Sequence, residues 1–195
     1  MNENAPTELA TLTRRVGAQG ARDLLALARD TVHARVLGRD ENALLFERCP
    51  SQPLYGAFVT LKAEGRLRGC IGSVGSIAPA RELIRRSAAA SALSDPRFPA
   101  VSPDEIDLLA YEISLLTPLV EMASKTLPDA VRVGEDGLVV VSGARRGLLL
   151  PQVAVEWGWD APTFLDQTCQ KAALPAGAWR DKAQVFRFAA WVINA

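Results

Sequence analysis

A mixed fold of antiparallel hairpins and helices is what this sequence predicts, on three observations. The alternating run Phe58-Val59-Thr60-Leu61-Lys62 is followed by the turn pair Glu64-Gly65 and by a second β-rich run over residues 66–71, the pattern of a hairpin. Two segments, one after Gly20 and one from Pro79, repeat apolar or small residues at helical spacing. A further set of short β-rich runs with turn signals lies beyond Pro118, enough for a smaller lobe.

Composition sets the outer limits. A chain of 195 residues, 49% apolar and 23% charged, suits one globular domain with a sizeable core. Lys and Arg number 22, as do Asp and Glu, so no overall field gathers nucleic acid or an anionic membrane. Cys49, Cys70 and Cys169 are far apart and form no C-x-x-C pair, which argues against a disulfide framework or zinc knuckle and for a reducing compartment. No segment has the length of a membrane span and the first dozen residues lack an apolar leader core, so the expectation is a soluble cytoplasmic protein.

In chain order, residues 1–19 are expected to be a flexible N-terminal segment, with Asn2, Asn4, Pro6 and Thr7 favouring fraying. From Gly20 to near Gly38 an amphipathic helix is expected, carrying His33, the only histidine. Pro50, Pro53 and Gly56 mark an irregular connection into the hairpin. The helix from Pro79 buries Leu83, Ile84, Ser87, Ala88, Ser91 and Ala92 and stops at Asp95-Pro96-Arg97-Phe98-Pro99. Ser102-Pro103-Asp104-Glu105 reads as a capping box, and Leu109–Leu115 as the clearest strand, with Leu109, Tyr111, Ile113 and Leu115 on one face and Ala110, Glu112 and Ser114 on the other. Asp136-Gly137 is read as a hairpin turn between 131–133 and 138–141, and Ser142 to Gly147 as a second turn. Pro151 opens a short helix through Glu156. Asp160 caps another that buries Phe164, Leu165, Thr168, Cys169 and Ala172, and residues 185–193 form one terminal strand.

Chemistry concentrates in Leu67-Arg68-Gly69-Cys70-Ile71-Gly72-Ser73. In a regular strand Arg68 and Cys70 share a face with Cα atoms about 6 to 7 Å apart. A neighbouring guanidinium favours thiolate, so Cys70 is a candidate nucleophile or redox group, against the alternative of a buried small hydrophobe. Arg68 can hold an anion through its planar fork or pair with an acid such as Glu112. Gly69 and Gly72 permit close backbone approach or positive φ, and Ser73 is read chiefly as a cap or turn residue. Glu112 is a candidate acid or base if burial raises its pKa, and Glu156 is similarly ambiguous. His33 completes a Cys-His dyad only if its helix crosses the hairpin. Cys49 and Cys169 are read as structural. Trp157, Trp159, Trp179 and Trp191 are read as core, and Arg85-Arg86 and Arg145-Arg146 as solvated faces.

These blocks together resemble the AMMECR1 family. The heptapeptide resembles its signature, in which threonine is more usual at the last position. Asp95-Pro96-Arg97-Phe98-Pro99 resembles its second block, Glu112-Ile113-Ser114-Leu115-Leu116-Thr117-Pro118 its central strand, and Leu149-Leu150-Pro151-Gln152-Val153-Ala154 with Glu156-Trp157-Gly158-Trp159 its C-terminal block. The resemblance covers roughly residues 20–192. It implies an α+β fold with antiparallel sheets and flanking helices, in which residues 20–195 form a single domain of two lobes, the smaller including about 119–150. The heptapeptide then lies near a cleft between lobes, and the partners are a Memo-like protein and a radical SAM enzyme.

The expected function is a cytoplasmic accessory or binding protein of such a system. In that reading Arg68, Gly69, Cys70, Gly72, Ser73 and Glu112 receive a small anionic ligand or a partner segment, with no cofactor or metal assigned. The competing reading is a thiol-dependent enzyme with Cys70 and Glu112 as catalytic groups. A third is a nucleic-acid-associated regulator.

Overall fold

In the computed structural model, which describes residues 4–40 and 49–194, the chain is α+β with two antiparallel four-stranded sheets and flanking helices. Its elements are α1 (Asn4–Val36), β1 (Pro53–Ala63), β2 (Arg66–Pro79), α2 (Ala80–Leu93), β3 (Leu109–Leu116), β4 (Val120–Met122), β5 (Gly137–Ser142), β6 (Arg145–Leu149), α3 (Pro151–Glu156), α4 (Ala161–Lys171), β7 (Gln184–Phe188) and β8 (Ala190–Asn194). The chain divides into two compact units. One is Ala10–Leu116 with Trp191–Ala195; the other is Thr117–Ala190 with the N-terminal residues through Leu9.

In the first unit the strand order is β2-β1-β3-β8. Glu64 and Gly65 both take positive φ, 51° and 76°, which the two-residue hairpin turn requires, and Ala63 pairs with Arg66 across it. One face of the sheet carries Val59, Leu61, Ile113 and Leu115 into a core shared with Leu24, Leu27, Ala28 and Val32 of α1 and Leu83, Ile84 and Ala88 of α2. Burying each such leucine, isoleucine or valine is worth about 1.5–3 kcal/mol. The small-residue face of α2 is buried as its spacing predicts. Close approach of the C-terminal half of this helix follows, because Ser87, Ala88, Ser91 and Ala92 put only small side chains on its buried face there.

The second unit contains the sheet β4-β7-β5-β6. Its core gathers Leu138, Val140, Phe164, Leu165, Cys169, Trp179 and Val185. Asp160 caps α4 by accepting the Thr163 N–H at 2.9 Å, and α3 begins at Pro151, both as expected.

Five local expectations are corrected. Residues ahead of Gly20 are helical from Asn4, because Leu12 and Val16 supply buried surface to the first core; Gly17, at φ 67° and ψ 169°, interrupts the helix. β2 does not end with the heptapeptide but continues to Pro79. Asp136-Gly137 is no hairpin turn. The Asp136 carboxylate is fully buried and accepts from the Arg132 backbone N–H and guanidinium, fixing the entry to β5. The terminal strand is two strands in different sheets, broken at Ala189, whose N–H donates to Thr117 Oγ1 and whose C=O accepts the Thr117 N–H. Trp157 is 69% exposed and stacks on Trp159, whereas Trp179 is buried with its Nε1–H on Asp166.

Candidate functional site

The register of β1 decides where the heptapeptide's side chains go. Thr60 pairs with Cys70 on one side and with Glu112 on the other, so Cys70, Thr60 and Glu112 form one cross-strand row on the sheet face opposite the helices. Leu61 pairs with Gly69, but Lys62 pairs with Leu67. Arg68 is therefore the extra residue of a bulge, and Leu67 rather than Arg68 is in phase with Cys70. Composition gives no sign of that insertion, which is why a regular strand places Arg68 beside the sulfur.

Arg68 is instead embraced by the segment after α2. Its Nε donates to Glu105 Oε1 at 2.8 Å, Nη1 to the Pro99 carbonyl at 2.9 Å, and Nη2 to Glu105 Oε2 at 3.0 Å and the Ala100 carbonyl at 3.3 Å. One bond from Nε, one from Nη1 and two from Nη2 leave a single N–H of the fork uncommitted. Glu105 also accepts from the Ser102 N–H at 2.8 Å, the capping-box contact the sequence predicts, and the paired guanidinium brings its carboxyl down to about 2. Glu112 takes a different partner, Lys62 Nζ at 3.0 Å, not an arginine.

β2 is an edge strand, and its outer edge at Cys70 is closed by a side-chain clamp. Asp95, 2% exposed at its side chain, accepts the Cys70 N–H at 2.8 Å, while Arg97 grips Asp95 through Nε at 2.9 Å and Nη2 at 2.7 Å and donates from Nη2 to the Cys70 carbonyl at 3.2 Å. The carboxylate and guanidinium stand where a neighbouring strand would, which blocks edge pairing. Arg97, with the Cys70 and Arg97 backbone N–H groups, holds the Asp95 carboxyl well below the usual range. Neither residue was singled out from the sequence. The signal available was an Asp-x-Arg spacing directly after a helix whose buried face was already legible.

The glycines serve close approach rather than positive φ. A Cβ on Gly69 would collide with the Ser91 carbonyl of α2, and one on Gly72 with the Ala57 carbonyl and the Phe58 ring. Ser91 Oγ donates to the Val59 carbonyl at 2.7 Å and accepts the Ile71 N–H at 2.8 Å, tying helix to hairpin. Ser73 is not a helix cap. It lies within β2 opposite Ala57, and with Ile71 and Gly72 it borders a cavity of about 140 Å³ whose other wall is Arg86, Ser87 and Ala90 of α2.

Burial pushes the Cys70 thiol up, and the Thr60 Oγ1–H donated to Sγ at 3.3 Å and the nearby Arg97 only partly oppose it. A low-pKa thiolate is thus not favoured here. His33 sits in the last turn of α1, and no hydrogen bond joins it to Cys70 among the described residues. Cys169 is buried in the other unit, and Cys49 donates to the Asp23 carbonyl at 3.5 Å. Glu156 is exposed at the end of α3. Among the described residues no three His, Cys, Asp or Glu gather to hold a metal ion, and no helix is long and apolar enough to cross a membrane.

The six residues proposed from the sequence therefore separate by role. Cys70 and Glu112 share a polar row, Ser73 and Gly72 border a cavity against α2, Gly69 admits the helix, and Arg68 is a brace. Comparison with known proteins agrees with the motif reading. A protein of Methanothermobacter thermautotrophicus is 42% identical over 179 residues, covering 89% of this chain and 93% of that protein. Protein TK0174 of Thermococcus kodakarensis is 47% identical over 147 residues, covering 71% of this chain and 72% of its own length. The crystal structure of protein PH0010 from Pyrococcus horikoshii superposes with a TM-score of 0.84 at 37% identity over 91% of this chain and 92% of that one. The AMMECR1 family model matches residues 25–193. This chain belongs to the AMMECR1 family.

Proposed function

We propose that the protein is an accessory binding protein whose β1–β2–β3 face, at Leu67, Lys62, Cys70 and Glu112, receives a segment of a partner protein. One observation carries the reading. The groups that would drive chemistry are committed or suppressed: Cys70 is held as a thiol by burial, and Arg68 and Asp95 are spent on internal bonds. What stays available is a mixed surface. Leu67 is 43% exposed, and the Lys62 side chain of the Lys62–Glu112 pair is 39% exposed. An apolar residue beside an exchangeable ion pair suits a peptide segment, with charge supplying orientation. The partners we infer are the Memo-like protein and radical SAM enzyme that the motif resemblance implies.

Binding of the full chain to the Memo-like protein of the same genome, measured by calorimetry, tests this. Lys62→Glu is expected to weaken the complex about tenfold, and Cys70→Ser to leave it within about threefold. Absence of any complex with either partner would overturn the partner reading. Loss of function in Cys70→Ser, together with alkylation of Cys70 faster than of a free thiol at neutral pH, would replace it with the thiol-dependent enzyme.

A further inference from the structure

The end of α3 leaves apolar surface in the open. Val155, in its last turn, and Trp157, just after it, are 61% and 69% exposed, while Pro151 and Ala154 on the other side of the helix are buried. The turn that follows Val131 meets them there. Gly134 lies so close that a Cβ on it would stand 3.2 Å from a Val155 methyl group, and its neighbour Val133 is 38% exposed. Val133, Val155 and Trp157 thus group two segments of one unit into an apolar patch. Scattered exposed apolar residues need no explanation, but a grouped set marks a contact surface. Trp157 is the largest of the three. Its indole stacks on Trp159, with ring centroids 6.0 Å apart and planes within 17°, which orients the ring without covering it.

Charge around the patch is in excess on one side. Segments 131–137 and 153–160 carry Glu135, Asp136, Glu156 and Asp160, with Arg132 as their only basic residue. Arg132 is shared between Glu135 and Asp136, at 2.9 Å each. That pairing does not change the balance: four carboxylates against one guanidinium leave an acidic surplus, in a chain of zero formal net charge.

We propose that this patch docks an arginine-bearing segment of a partner protein, with a guanidinium laid on the open face of Trp157. A guanidinium is planar, cationic and weakly hydrated, so it stacks on an indole where a lysine ammonium keeps its water. The same pairing occurs within this chain, where Arg180 lies 4.1 Å over the Trp179 ring. The acidic surplus favours a basic partner. It disfavours a second copy of the chain, because a twofold contact would set the same negative charges against each other. Val133 and Val155 suit aliphatic side chains flanking the arginine. The patch lies in the unit that does not carry the Cys70–Glu112 face, so the inference does not rest on the reading of that face.

A capped hexapeptide of alternating arginine and leucine is the probe, titrated calorimetrically into the full chain. Saturable binding with a Kd below about 1 mM is expected. Trp157→Ala should weaken it about tenfold and Glu156→Gln about threefold. Glu64→Gln, the same charge change at the hairpin turn of the other unit, should shift it less than about twofold. Circular dichroism verifies that the variants fold, and Glu156→Gln, at an exposed position, carries the test if Trp157→Ala does not. No saturable binding to the wild type up to ~1 mM overturns the proposal. So does an equal loss in Glu64→Gln, which would mean charge attraction without a site. A lysine–leucine peptide that binds as tightly would overturn the assignment to arginine. Self-association in sedimentation that Trp157→Ala abolishes would give the patch to a second copy instead.

Discussion

Arg68 and Arg86 belong to neighbouring elements of one unit and have opposite fates. Arg68, conspicuous inside a signature heptapeptide, has a side chain only 13% exposed and spends its guanidinium on Glu105 and two carbonyls. Arg86, in a dipeptide that reads as a solvated face, is 69% exposed and borders cavities on the α2 flank. The difference teaches that chemical density in sequence marks where a fold must be braced as readily as where a ligand binds. A bulge, a clamp and two close-approach glycines need specific residues as strictly as a reaction does.

The largest expected effect lies on the Arg68 side of that comparison. Arg68→Ala strands Glu105 and the Pro99 and Ala100 carbonyls, and should lower the stability of the first unit by about 3 kcal/mol. Arg68→Lys restores charge but not the fork, and should recover less than half of the loss. Urea unfolding curves give both values. A loss below about 0.5 kcal/mol would mean that Arg68 is not a brace, and the contrast with Arg86 would collapse.

Much of this unit was legible in advance, and for a common reason. The Glu64-Gly65 hairpin, the small-residue face of α2, the faces of β3 and the Ser102–Glu105 capping box all rest on local periodicity or turn chemistry. What escaped depends on registers and partners distant in sequence. Nothing local tells that Lys62 pairs with Leu67, that Glu105 rather than Glu112 meets Arg68, or that Asp95 reaches the Cys70 amide. Leu12 and Val16 were likewise obscured because a helix interrupted at Gly17 breaks its own periodicity. The polar row of Cys70, Thr60 and Glu112 was half visible: the Glu112 face followed from alternation, and its alignment with Cys70 required the register.

The clamp on Cys70 sharpens the same comparison through pH. Asp95 has its carboxyl held well below the usual range when folded, so its contribution is fully present above the unfolded value of about 3.9 and is lost as pH falls toward the native one. Asp95→Asn should cost about 2 kcal/mol at neutral pH, since it removes a buried acceptor of the Cys70 N–H and the partner of Arg97. The gap between variant and wild type should then narrow below about pH 4, because the unfolded wild-type chain takes up a proton at Asp95 there while the native carboxylate stays ionised. Denaturant midpoints at neutral and acid pH measure this. A gap that stays constant as pH falls would show that the charge of Asp95 contributes nothing and only its shape matters.

The smallest effect is expected at Arg86, and its smallness is informative. An exposed arginine whose ion pair with Glu82 spans 3.8 Å should contribute less than about 0.5 kcal/mol, so Arg86→Gln should unfold within that margin of the wild type. A loss at Arg68 with none at Arg86 would separate a residue kept for the fold from one on a solvated helix flank. If Arg86→Gln instead destabilises the chain by about 2 kcal/mol, Arg86 is itself a structural residue of α2 and the two arginines play the same part.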